Sequence, residues 1–384
     1  MKISNFLSLV LCVLSMLTTA SLPARADLQL VLSATSQNAG PGTTVTFSGT
    51  ATNTSASSQL YLNNLQVTFG GSESTYATAN TNTFFSNVPG ILLPNETYAG
   101  PLFQVTLSAN APAADYPGVI TILGGSNITA TTALVSVPFA IRCPSLQFTA
   151  TIPDAAEFGP VVGKFRIVRS GGTDTDLPVQ LNIQGTAANG VAYVSIPSTT
   201  TIPNGSAAVS ITVTPIPDNI AEGDRTVILS VVSASTYQLG SPSSDVVTIH
   251  DKPIDAWRLA NFGALANSAQ AADGADPSGA GITNVTKFAL NLSVSNPDRT
   301  ALPAIDTSSG YLTMSFLPNP QATDLSYAVT ASTDLQSWSA GNVQEITPAN
   351  PTPPGLRTFR YQTPITIAPR VFLRLEVTRL DLSP

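Results

Sequence analysis

Pro217-Asp218-Asn219-Ile220-Ala221-Glu222-Gly223-Asp224-Arg225-Thr226-Val227-Ile228-Leu229-Ser230-Val231 stands in the middle third of a chain of 384 residues. Its second half is β-branched and apolar, with alternation that puts Val227, Leu229 and Val231 on one face, the period of a half-buried strand. Ahead of it, Ala207 to Ile216 (AAVSITVTPI) reads the same way. Between the two runs lies an acidic turn, Asp218 to Glu222, so the stretch is strand, carboxylate-bearing turn, strand.

Further runs of the same kind surround it. Phe165 to Gly172 (FRIVRSGG), Leu177 to Ala187 (LPVQLNIQGTA) and Asp245 to Asp251 (DVVTIHD) complete a block of about 105 residues. The order of these segments, a glutamate near the first strand (Glu157), a Gly185-Thr186-Ala187 strand end, the Asp218–Glu222 turn and a closing acid at Asp251 resemble a Calx-beta domain. That resemblance implies a β-sandwich whose strand-end loops gather Glu157, Asp218, Glu222 and Asp251 at one tip as calcium ligands. The pattern is thinned in this chain. Pro217 stands where the first acid of a pair belongs, Arg225 replaces a downstream glutamate, Lys252-Pro253 replace the closing acids, and Ala192 holds a position that is often Asp. Calcium takes six to eight oxygen ligands, and Arg225 and Lys252 would add repulsion. The four acids therefore read two ways: as one weak calcium site, or as turn and surface charges of a sandwich that folds without metal.

Outward from this block, residues 27–142 carry short alternating runs such as Thr43 to Ser55 (TTVTFSGTATNTS), Tyr116 to Gly125 (YPGVITILGG) and Ala133 to Ile141 (ALVSVPFAI). Turn signals such as Gly40-Pro41-Gly42 separate them. About seven strands in this length is the pattern of an Ig-like sandwich. The central module is taken as 143–252. Residues 253–300, with Asp255 to Gly263 (DAWRLANFG), read as a short helical or loop linker. This linker contains Ala272 to Asn284 (ADGADPSGAGITN), which resembles a degenerate calcium-type loop: Asp276 stands at the first ligand position, with Ser278 and Ala280 where the next two acids belong. A flexible turn accounts for it equally well. Residues 301–384 return to alternation and form a small C-terminal β domain. The expected fold class is all-β, in tandem Ig-like/Calx-beta β-sandwiches.

The first 26 residues read as a signal peptide: Lys2, an apolar run from Phe6 to Met16, and Ala24-Arg25-Ala26 as the cleavage site. The expected location is secreted, extracellular or at the cell surface, with no stable membrane insertion after cleavage. Charged residues make up 10% of the chain, against about 25% in ordinary soluble domains. The net charge of −7 excludes nucleic acid as a partner, since phosphates call for clustered Lys and Arg. Cleavage would remove Cys12 and leave Cys143 as a lone thiol, read as buried.

His250 is the only imidazole, which excludes multi-histidine zinc sites. There is no G-x-S-x-G elbow, P-loop or G-x-G-x-x-G. No catalytic residue is assigned and the chain reads as non-catalytic, although a glycosidase-type carboxylate pair far apart in sequence escapes a motif search. The expected role is adhesion, matrix or protein interaction. The alternative is a carbohydrate-binding accessory protein of secreted hydrolases, with Trp257 and Trp338 as the aromatic candidates and core packing as the commoner use of both. The partner is an extracellular protein or a glycan, and calcium is the one cofactor suggested. The sequons at Asn53, Asn95 and Asn127 match the glycosylation pattern at the rate expected of a Ser- and Thr-rich chain.

Overall fold

The structure, a computed structural model, describes residues 27–72, 74–159, 161–368 and 370–380. The signal-peptide reading of residues 1–26 lies outside the described residues. The chain is all-β with tandem β-sandwiches, and divides into two compact units, Met1–Arg142 and Cys143–Pro384. No helix among the described residues is long and apolar enough to cross a membrane.

In the first unit one sheet has the order Leu28–Leu32, Thr44–Asn53, Thr97–Leu107, Ala77–Asn80, all antiparallel. The facing sheet has the order Ser36–Asn38, Thr132–Cys143, Ala114–Gly125, Leu60–Phe69, Ile91–Leu92. Strand alternation sends Phe47 and Phe103 inward from one sheet and Phe139 from the other. Phe47 and Phe103 stack at 4.9 Å, and Phe139 meets both at a steep angle. Gly118 makes room for this, because a Cβ there would lie 2.4 Å from the Phe139 ring. Asn53, within the first sequon, is fully buried; its amide donates to the carbonyls of Ser58, Leu92 and Leu93, so it is not open to a glycan. On the outer face of the first sheet, threonine hydroxyls pair across strands: Thr44 with Thr106 at 2.8 Å and Thr52 with Thr97 at 2.9 Å.

The second unit opens with a sandwich of two sheets. One runs Ala208–Val213, Gly163–Arg169, Ser145–Ile152, Gln238–Leu239 and the other Asp154–Ala156, Ser244–His250, Arg225–Val231, Leu177–Gln184, Thr199–Ile202. The core between them includes Phe148, Phe165, Tyr193, Val227, Leu229 and Ile249. Cys143 is a buried thiol whose sulfur accepts from the Gln238 amide at 3.3 Å.

Residues 253–300 do more than connect. They hold two of the three α-helices of the described residues: after α1 (Asn82–Asn87) come α2 (Pro253–Phe262) and α3 (Asn284–Ala289). Ile254, Phe288 and Ala289 pack with Ala322 and Leu325, and Ile282, Leu290 and Leu292 pack with Met314, Phe316, Val329 and Phe359. The C-terminal sheets, one of four short strands and one antiparallel pair of Leu325–Ser332 with Phe372–Arg379, are small, and residues of the helical segment pack on their apolar side chains. The helical segment thus adds a layer to them. A charge network pins it there. Arg258 of α2 is 0% exposed and bonds Asp255, Asp273 at 2.6 Å and the Ala271 carbonyl, while Arg379 of the last strand reaches Asp255 at 2.8 Å and Asp273 at 3.4 Å.

Because the Phe139 ring has nowhere to retreat, Gly118→Ala is expected to destabilise the first unit by about 1–3 kcal/mol. A lower midpoint with an unchanged slope in urea unfolding checks this.

Candidate functional site

The tip of the central sandwich is assembled by register. Asp154–Ala156 runs parallel to the end of Ser244–His250, with Ala156 opposite His250, and the strand after the acidic turn begins with Arg225 opposite Ile249. Glu157, Asp251 and the 218–225 turn thus all leave the sheet at one end. The Glu157 amide donates to the His250 carbonyl at 3.0 Å, which fixes where its side chain enters.

Carboxylate oxygens of Glu157, Asp218 and Glu222 lie within 4.8 Å of one another. The turn holds its own shape: Asp218 accepts from the Ile220 amide at 2.8 Å, the Ala221 amide donates to the Leu265 carbonyl at 2.7 Å, and Ile220 bridges Ala266. The tip therefore rests on the segment that follows α2. Asp251 stands outside the group of three. Its two oxygens accept from the amides of Gly223 at 3.1 Å and Lys252 at 2.8 Å, so it anchors the turn.

Arg225 occupies the centre. Its guanidinium bonds Glu157 at 3.0 Å and also pairs with Glu222. The sequence suggests a repulsive neighbour for a metal; the structure makes Arg225 the cation that the two glutamates hold. Lys252 donates to Asn219 of the acidic turn at 3.1 Å. One oxygen is left over: Glu157 Oε2 is buried and has no hydrogen-bond partner.

The electrostatics follow from burial. Glu157, 4% exposed, is pushed up to about 7 by desolvation and then by the charges of Asp218 and Asp251, against the pull of Arg225. Asp251 is pushed up to about 6, again first by burial, with the Gly223 and Lys252 amides opposing. Burial pulls His250 down, but its bonds to Asp224 and Asp154 outweigh that and leave the imidazole above its usual value. Those bonds, Nδ1 to Asp224 at 3.0 Å and Nε2 to Asp154 at 3.1 Å, commit both ring nitrogens. Asp154, Asp224 and Asn219 are parts of the tip that sequence reasoning did not single out. Asp154 is 96 residues from His250 in the chain, and nothing local marks it.

The other candidates are elsewhere. Trp257 packs between Phe262 and Phe288, at 5.8 and 5.5 Å. Trp338 is half-buried with the Arg374 guanidinium 4.2 Å over its ring, which leaves one face at most for a ligand. Asp276 is bonded by Lys287.

No protein-family model matches the chain, and no curated protein matches it. Among solved structures it is similar to the apo form of the Calx CBD1 domain, at 22% identity over 28% of this chain and 96% of that one, with a TM-score of 0.24. It is also similar to the D00-D0 domain of intimin, at 14% identity over 58% of this chain and 100% of that one, with a TM-score of 0.22. A third is the I9-I11 tandem of titin, at 8% identity over 87% and 89% of the two chains, with a TM-score of 0.25. At TM-scores of 0.22 to 0.25 these likenesses assign neither a family nor a function to the chain.

The raised groups set a pH dependence. A carboxyl or imidazole whose folded value lies above its unfolded one holds its proton more firmly when folded, so the stability it contributes is present at low pH and lost as pH rises. Glu157 does this between its ordinary 4.5 and about 7, and Asp251 between 3.8 and about 6. His250 acts in the same direction above 6.5. In calcium-free buffer the melting temperature of the second unit is expected to fall from pH 5 to pH 8, and Glu157→Gln to flatten the part below pH 7. Calorimetric scans of both proteins check this; a rise with pH, or an unchanged slope in the variant, contradicts it.

Proposed function

We propose that this chain is a non-catalytic, exported interaction protein whose tandem β-sandwiches serve adhesion or matrix contacts with other proteins, and whose acidic tip is an arginine-closed joint that takes calcium only weakly. The export part rests on Lys2, Phe6 to Met16 and Ala24-Arg25-Ala26 in the sequence. The observation that carries the rest is Arg225 bound between Glu157 and Glu222. Where a sensor or a reaction centre needs open ligands, this tip has its acids engaged in holding two strand ends and a turn together. The sole imidazole is likewise held between Asp154 and Asp224, which takes it away from general-base chemistry.

The fit to calcium is partial. The unpartnered Glu157 Oε2 is an oxygen suited to a hard cation, and Asp218 lies beside it. The guanidinium in the same cluster is unsuited, since a divalent ion must displace it and then find its remaining ligands in water. Glu157, Asp218 and Glu222 would hold the ion, and Asp251 would support it through the turn.

Titration calorimetry on the full chain tests the tip. Wild type is expected to give no saturable heat below about 1 mM calcium, the weak end of extracellular sites. Arg225→Gln is expected to bind at least tenfold more tightly. Micromolar binding by wild type, or no gain in the variant, overturns the arginine-closed reading. A glycan array probed with wild type and Trp338→Ala tests the interaction role: a specific glycan signal that the substitution abolishes would replace it with the carbohydrate-accessory reading.

A further inference from the structure

The loop Asp276–Lys287 has the spacing of a twelve-residue calcium loop. Such loops supply oxygen from positions 1, 3, 5, 7 and 9 and a bidentate glutamate at 12, with glycine at 6 for the sharp turn. Counted from Asp276, position 3 is Ser278, position 5 is Ala280, position 6 is Gly281, position 9 is Asn284 and position 12 is Lys287. Gly281 has φ +76°, the left-handed conformation that the sixth position calls for. The spacing is intact and the charge is inverted. One carboxylate remains, and the residue at the glutamate position is a cation.

That cation points into the loop. Lys287 is 0% exposed, and its Nζ donates to Asp276 Oδ1 at 3.1 Å and Ser278 Oγ at 2.9 Å, the oxygens of positions 1 and 3. The loop closes around this pair: Ser278 Oγ donates to Asp276 Oδ1 at 2.8 Å, and the Gly281 amide donates to Asp276 Oδ2 at 2.6 Å. The Asn284 amide donates to the Gln270 and Ala272 carbonyls, both at 2.8 Å, tying in the segment before the loop. Charge balance explains the pattern. A divalent ion against one carboxylate would leave an uncompensated charge beside the core, whereas an ammonium against one carboxylate is neutral. Downstream, Ile282, Phe288, Ala289, Leu290 and Leu292 all enter apolar clusters, so the closure of this loop sets where the covering layer sits.

We propose that Lys287 is the loop's own tethered cation. Its ammonium occupies the place between positions 1 and 3 that a divalent ion takes in loops of this spacing, and it makes the 253–300 segment a calcium-independent clasp for the C-terminal sheets. This inference is independent of the tip, where a different cation and different carboxylates are involved.

The test uses the full chain, melted in about 1 mM EDTA and in about 5 mM calcium chloride, with each variant referred to wild type so that any calcium bound at the tip cancels. Lys287→Met is expected to lower the melting temperature by about 5 °C or more in either buffer, and Lys287→Arg to retain most of it. The triple variant Ser278→Asp, Ala280→Asp, Lys287→Glu restores the acidic set. It is expected to melt lower than wild type in EDTA and to recover by about 5 °C or more in calcium, with no such recovery for magnesium. A triple variant that gains nothing from calcium overturns the proposal, whether or not it folds, as does a Lys287→Met protein as stable as wild type. So does a wild-type chain that loses its C-terminal fold in EDTA while Lys287→Met behaves alike.

Discussion

Arg258 carries a full charge where water does not reach, and the arrangement of the C-terminal part follows from what that charge requires. An unpaired buried guanidinium is prohibitively costly, so two carboxylates and a carbonyl must come to it. Asp255 comes from one turn earlier in α2, Asp273 from the loop that follows, and Arg379 from the last strand then shares both carboxylates. A helix, the loop 15 residues on from Arg258, and a strand 106 residues beyond Asp273 are thereby held to one point. The apolar clusters around Phe288 and Phe316 fill the space that this point defines, because non-directional burial alone would not select one helix register over another.

The same device recurs with different residues. At the tip of the central sandwich a guanidinium joins Glu157 and Glu222, and in the loop before α3 an ammonium joins Asp276 and Ser278. In each case side-chain oxygens, one carboxylate in the loop and two at the tip, are met by a cation belonging to the chain. A tethered cation loses little entropy when it binds and does not dissociate, but it offers fewer and longer bonds than a metal and cannot report on its concentration. Such a joint needs no ion from the surroundings.

The all-β, tandem-sandwich character was legible because alternation is a local signal. Thr44–Asn53 and Ala114–Gly125 coincide with runs whose every second residue is apolar or small. Shorter elements were not legible: the parallel contact of Ser36–Asn38 with residues 140–142 and the three-residue strand Asp154–Ala156 have no period to detect. At the tip, Asp218 and Glu222 were easy to group because they share a turn, and the Calx-beta resemblance added Glu157. The role of Arg225 was hidden, since whether a cation repels or completes a cluster depends on side-chain direction and not on spacing. In the loop at Asp276, the ligand positions that resemble a calcium loop run in sequence as far as Ala280. Its meaning lies further on, at Lys287, where the sign of the final ligand reverses.

The threonine pairs on the outer face of the first unit have a kinetic consequence. Their hydroxyls satisfy one another across the strands, so these pairs are polar without being charged, in a chain where charged residues are 10% of the total. Such a surface exerts little long-range pull. Encounters would proceed near the unsteered rate of about 10⁵–10⁶ M⁻¹s⁻¹ and change little with ionic strength. Any molecule that docked there would be held by shape and short-range hydrogen bonds, and its hold would change little between dilute and saline surroundings.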